Sequence, residues 1–137
     1  AALSAILTLI GVVGREALIA ALGSSLFIAF LTPKVYTARA RNLILSHIFA
    51  GGIGLGFYHF IAFLPQSQPV IIVLSSLAVA ISMFVMVITD TEHPPAAGTA
   101  LGLALRGGWL PFLFIVVSVL VLALIKRLLD PWLANLV

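Results

Sequence analysis

Apolar residues run through this chain in six stretches, separated by short polar or proline-containing breaks. Ala1–Gly14 is apolar and short, and Arg15-Glu16 interrupts it. Ala17–Thr32 follows and ends at the polar, basic loop Pro33–Asn42. Leu43–Leu64, Val70–Thr89 and Trp109–Leu129 are each long enough for a full crossing of a bilayer, which takes about 20 apolar residues at about 1.5 Å per residue. The turn Pro65-Gln66-Ser67-Gln68-Pro69 between the first two is uncharged. Asp90–Pro95 breaks the pattern again, and Ala96–Leu105 spans only about 15 Å as a helix, half the hydrocarbon core. Arg106-Gly107-Gly108 then turns the chain.

Proline is tolerated in the first turn of a helix but not in its interior. The spacing therefore predicts a half-helix that starts at Pro94-Pro95, capped by His93 or Glu92, with irregular backbone from Asp90 to His93. Irregular backbone at membrane depth survives only inside protein or beside a wet cavity. Ala17–Thr32 looks like a relative of this segment. A gapless shift of 75 residues sets Ala21, Gly23, Leu26 and Ala29 on identical residues and Arg15-Glu16 on Asp90-Thr91. The expectation is an all-α membrane bundle with two broken or half-length segments. Its halves, 1–64 and 70–129, would each read helix, broken segment, helix, as inverted repeats do.

Composition narrows the class. Of 137 residues, 63% are hydrophobic and 8% charged, against about 25% charged in a soluble domain. That is too little charge to cover a soluble globule. It excludes a water-soluble enzyme and a disordered chain, and the absence of cysteine excludes a disulfide scaffold. The net charge of +3 comes from scattered basic residues, a topology signal and no nucleic-acid signal. The first stretch lacks a basic leader region and a small-residue cleavage pattern, so it is not read as a signal peptide. The chain reads as one transmembrane domain over residues 1–137, placed in a prokaryotic plasma membrane with the lipid bilayer as a partner.

The run Thr91-Glu92-His93-Pro94-Pro95-Ala96-Ala97-Gly98-Thr99-Ala100-Leu101 resembles the HPP family of small integral membrane proteins, named for this His-Pro-Pro. Gly23-Ser24-Ser25 resembles the family's Gly-Ala-Ser. Arg41-Asn42 with His47 resembles its Arg-Asn-x-x-x-Gly-His, with Ser46 standing where the family usually has glycine. The three patches occur in order and cover nearly the whole chain. Chloroplast and cyanobacterial members are associated with nitrite transport, so the resemblance implies a membrane fold and, less specifically, an anion substrate.

A half-helix that begins inside a membrane presents free N–H groups and the positive end of its dipole, a ready anion site. The amides of Ala96, Ala97 and Gly98, with the Thr99 hydroxyl, are the expected cradle, matched by Gly23, Ser24 and Ser25 from the other half. The competing reading is that these small residues let helices pack closely. Arg41, Asn42 and His47 are expected near the pathway, and His93 is expected as a cap or proton acceptor. Asp90 and Glu92 are available to neutralise Arg15 and Arg106. No catalytic set, metal site or cofactor motif is found, so the chain is not read as an enzyme.

Both a six-pass and a four-pass arrangement divide the basic residues five against two. Six passes are expected, since inverted repeats bring two half-helix N-termini face to face. The function expected is a transporter or channel for a small inorganic anion, nitrite first. The alternatives are a non-transporting signalling or assembly module and a proton or cation pathway through Asp90, Glu92 and His93. The Gly51-Gly52-x-Gly54-x-Gly56 face predicts a homodimer or other homo-oligomer.

Overall fold

A computed structural model describes the backbone of residues 2–136 and the side chains of Thr8 and of residues 11–136. Helix α1 spans Ala2–Leu31, α2 Ala40–Ala62, α3 Gln68–Ile88, α4 Ala96–Arg106 and α5 Trp109–Leu129. A single 3-10 turn, Tyr36–Ala38, lies between α1 and α2, and the described residues contain no strand. Among the described residues, four helices are long and apolar enough to cross a membrane: α1 from Gly11 onward, α2, α3 and α5.

The first two apolar stretches are one helix. Arg15 and Glu16 are exposed on α1 and do not interrupt it. Both are good helix formers, so a charged pair changes a helix surface without breaking its backbone. The expected first half-length segment is therefore absent, and Ala17–Thr32 is not a counterpart of α4 in three dimensions. Only the second half holds a short helix, and it has eleven residues.

Side-chain contacts set the direction of α4. His93, just before it, bonds the Thr37 carbonyl in the α1–α2 connection, while Arg106 at its far end donates to the Gly11 carbonyl at 3.1 Å. Residues 89–106 thus run from one end of the bundle to the other, antiparallel to α1. The chain makes five traverses: four full helices and this composite of extended backbone and half-helix. Neither six nor four passes describes it, because merging the first two stretches removes one pass and α4 does not turn back. Lys34 reaches the Asp130 carbonyl at 3.1 Å and Leu136 N donates to Leu31 O at 2.9 Å, so the C-terminal end of α5 shares an end with the α1–α2 connection. Lys34, Arg39, Arg41, Lys126 and Arg127 gather at that basic end. There the Lys126 hydrogen bond, with Lys34 beside it, holds the Asp130 carboxyl below its ordinary range.

Helix α4 is the packing centre, with Ala96, Thr99, Ala100, Gly102, Leu103 and Ala104 buried against α1, α2 and α3. Its approach to its neighbours depends on missing side chains. A Cβ on Gly54 would stand 2.5 Å from the Ala100 carbonyl oxygen, and one on Gly102 would stand 2.6 Å from Leu18. Such close backbone approach is how membrane helices gain dispersion contact where lipid offers no hydrophobic drive. Of the expected glycine face, Gly51 and Gly54 point inward, while Gly52 and Gly56 are exposed with open space beside them. Large apolar side chains such as Phe84, Leu110 and Phe114 face outward.

The turn after α3 has the bonds of a Schellman motif: Thr91 N to Met86 O at 2.9 Å and Asp90 N to Val87 O at 3.2 Å. Asp90 occupies its left-handed position, with φ of 56°.

Two predictions follow from this architecture. Asp90→Gly removes a left-handed penalty of about 1–2 kcal/mol and costs only a weak exposed ion pair with Arg41, so thermal unfolding in detergent should stay level or rise. Asp90→Val should lower the unfolding temperature; equal melting of both variants would refute the strained turn. Positive charge collects on cytoplasmic sides. An Ala134→Cys label site at the basic end should therefore react only from the cytoplasm, and labelling from outside intact cells would reverse that orientation.

Candidate functional site

The start of α4 is built differently from the expected cradle. Ala96 N donates to His93 O at 2.9 Å, Ala97 N to Pro94 O at 3.1 Å and Gly98 N to Pro95 O at 3.0 Å. The two prolines have no N–H of their own, and the tight turn they form spends the next three amides on its carbonyls. A Cβ on Gly98 would meet Ala21 Cβ at 3.2 Å, so this glycine serves close contact with α1. Gly23 and Ser24 lie mid-helix on α1, where the exposed Ser24 hydroxyl bonds back to Ala20 O at 2.8 Å. The structure does not bring Gly23 or Ser24 to the amides of Ala96, Ala97 and Gly98.

It does bring together Ser25, His47, His93 and Thr99. Ser25 sits on the face of α1 toward α4, and its Oγ lies 2.9 Å from His47 Nε2 and 2.8 Å from His93 Nε2. The same oxygen is 2.8 Å from the Ala21 carbonyl, the usual back-bond of a helical serine. His47, from α2, holds Thr99 Oγ1 of α4 at 2.8 Å through Nδ1. His93 donates its Nδ1–H to the Thr37 carbonyl at 2.8 Å. The two rings are tilted, with centroids 5.4 Å apart. All four side chains are buried. No carboxylate is a hydrogen-bond partner of either ring, and among the described residues no three His, Cys, Asp or Glu gather as a metal-ion set.

A second polar layer lies toward the basic end. Arg41 donates to Asp90 O at 2.8 Å and Thr89 O at 3.1 Å, and its ion pair with the Asp90 carboxylate is 3.8 Å long. Tyr36 adds its hydroxyl to Asp90 O at 2.8 Å. Asn42 donates to Glu92 O at 3.3 Å, while its own Oδ1 and one Glu92 carboxylate oxygen are buried without a partner. Asp90 and Glu92 therefore stand far along the bundle from Arg15 and Arg106, which they were expected to neutralise. His59 pairs edge-on with Tyr58 near the other end of α2 and takes no part in the cluster.

Sequence reasoning selected Ser25, His47, His93 and Thr99 but not their mutual contacts. It missed Thr37, which acts through a backbone carbonyl and so leaves no side-chain signal, and Thr91, buried with its Oγ1 at 2.8 Å from Thr89 Oγ1.

Comparison with known proteins agrees with the motifs. The model of the HPP transmembrane region matches residues 1–135. A protein of Dictyostelium discoideum, named only as a transmembrane protein, is 32% identical over 115 residues, covering 82% of this chain. The chain spans 39% of that relative's length. No solved structure matches it. With nearly its whole length matched and His93-Pro94-Pro95 at the entry to its central half-helix, the chain belongs to the HPP family of transmembrane proteins.

Proposed function

We propose that this protein carries a small inorganic anion across a membrane, nitrite first among candidates, through the site built by Ser25, His47, His93 and Thr99. The observation that carries this reading is a fully buried polar cluster, free of carboxylates, at the mouth of a half-helix inside a membrane bundle. Ionisable groups at such depth are costly and mark pathways. Two imidazoles and two hydroxyls can gain only positive charge, so the ion they favour is negative. A cation pathway would need both Asp90 and Glu92 at the cluster, yet the Asp90 carboxylate is 77% exposed and paired with Arg41, and the Glu92 carboxylate bonds neither ring. The membrane we assign is a prokaryotic plasma membrane with the basic end cytoplasmic. We assign a second copy of the chain to the face at Gly52 and Gly56, where the surface is open, and Gly52→Leu with Gly56→Leu should reduce the particle mass in detergent to that of one chain. An unchanged mass would remove that interface.

Uptake into proteoliposomes tests the transport reading. Stripping a partner from a buried polar atom costs about 1–3 kcal/mol, so Ser25→Ala, which leaves both ring Nε2 atoms without their oxygen, and Thr99→Val, which leaves His47 Nδ1 without its hydroxyl, should each lower nitrite uptake at limiting concentration about tenfold. Ser24→Ala, at an exposed position outside the cluster, should leave uptake unchanged. Variants must match the parent in detergent monodispersity. Equal uptake by parent and Ser25→Ala would move the pathway away from the cluster. Failure of the parent to take up nitrite, nitrate, formate or chloride would end the transport reading.

A further inference from the structure

Five contacts bind the cluster: Thr99 Oγ1 with His47 Nδ1, His47 Nε2 with Ser25 Oγ, Ser25 Oγ with His93 Nε2, Ser25 Oγ with Ala21 O, and His93 Nδ1 with Thr37 O. Each needs one hydrogen between its two heavy atoms. With both rings neutral, the cluster owns four, one on each hydroxyl and one on each imidazole. The Thr37 carbonyl only accepts, which assigns a hydrogen to His93 Nδ1. Neutral His93 then turns a bare Nε2 toward Ser25. The single Ser25 hydrogen is claimed both by that nitrogen and by the Ala21 carbonyl, each at 2.8 Å.

One proton added to His93 Nε2 removes the conflict. Ser25 Oγ then accepts from both rings and donates to Ala21, and His47 Nδ1 accepts from Thr99, so all five contacts are filled. A proton on His47 does not do this. It reverses the Thr99 contact and leaves the Ser25 hydrogen contested.

We infer that His93 takes up one proton together with the transported anion, which makes the protein a proton–anion symporter. This rests on the anion-transport reading above. A lone buried imidazolium is expensive, and no carboxylate hydrogen-bonds it. The anion supplies the missing countercharge, so each ion stabilises the other's entry. The step balances: an N–H bond forms at Nε2 as proton and anion arrive, breaks as they leave, and the pair carries no net charge.

Among the groups around His93, Glu92 is the rival for that proton, since one of its carboxylate oxygens is buried without a partner. From α2 come His47, with ring centroids 5.4 Å apart, and Arg41 nearer the end. Ser25 comes from α1, Met86 from α3, the Thr37 carbonyl from the 3-10 turn, and Thr99 of α4 reaches the cluster through His47. On its own segment stand Glu92 and Asp90, the latter paired with Arg41.

Nitrite accumulation in proteoliposomes separates the possibilities, with protein-free vesicles correcting for leak of nitrous acid. One pH unit is worth about 1.36 kcal/mol per proton, so a one-unit gradient, acid outside, should drive about tenfold accumulation in parent vesicles. A potassium diffusion potential set with valinomycin should change initial uptake by less than about twofold, since no net charge moves. His93→Gln, checked for parent-like monodispersity, should lose the gradient-driven part. Uptake that follows the potential and ignores the pH gradient would overturn symport and leave anion transport standing. Tenfold accumulation by His93→Gln would equally overturn it. No uptake of any anion by the parent would end both readings.

Discussion

Ser25 Oγ holds three polar atoms at 2.8–2.9 Å, one on its own helix, one from α2 and one from the segment that leads into α4. Much of the bundle is arranged so that this is possible. Ser25 reaches His93 only because α1 and α4 lie nearly in backbone contact, and they do so because Ala21, Gly98 and Gly102 present almost no side chain between them. His47 reaches Ser25 only because α4 is also drawn against α2, where Gly54 meets the Ala100 carbonyl. The small residues set the helix spacing, and the spacing places the hydroxyl between two imidazoles. The packing reading and the functional reading of these glycines are therefore two stages of one cause.

The segment before α4 satisfies its backbone largely within the protein. Its carbonyls are accounted for nearly one by one. Thr89 and Asp90 are held by Arg41, Asp90 also by Tyr36, Glu92 by Asn42, and His93, Pro94 and Pro95 by the first amides of α4. Irregular backbone inside a membrane protein persists on such terms. Arg41-Asn42 and His93-Pro94-Pro95, two patches distant in sequence, are thus the two sides of one set of hydrogen bonds. The same accounting explains why no amide is left to bind an ion: the turn that makes a half-helix possible consumes the donors that a bare helix start would offer.

Most of the fold was legible in the sequence. Apolar length located α2, α3 and α5, and the proline pair located the start of α4 to within a residue or two. Arg15-Glu16 misled because charge was read as a break, whereas only loss of backbone bonding ends a helix, and two good helix formers exposed on one face lose none. The match between Ala17–Thr32 and α4 misled because small residues recur wherever helices pack closely. Of the eleven candidate site residues, Ser25, His47, His93 and Thr99 meet in one cluster, and its geometry was not legible. Ser25 was selected for an amide cradle and instead bridges two rings, and Thr37 contributes an atom that every residue possesses.

A structural role for the cluster would be the simpler account, and the proposed proton uptake is distinguished from it by the hydrogen count. A satisfied neutral hydrogen bond contributes about 0.5–1.5 kcal/mol net, and every polar side-chain atom of Ser25, His47, His93 and Thr99 has a neighbour within bonding distance. A network kept only for stability should at least close its own hydrogen count, yet Ser25 has one hydrogen for two acceptors. The shortage is confined to the one position where a proton can be added, on a ring whose other nitrogen is already fixed by Thr37. On the proton-uptake proposal, that shortage is the resting condition of His93.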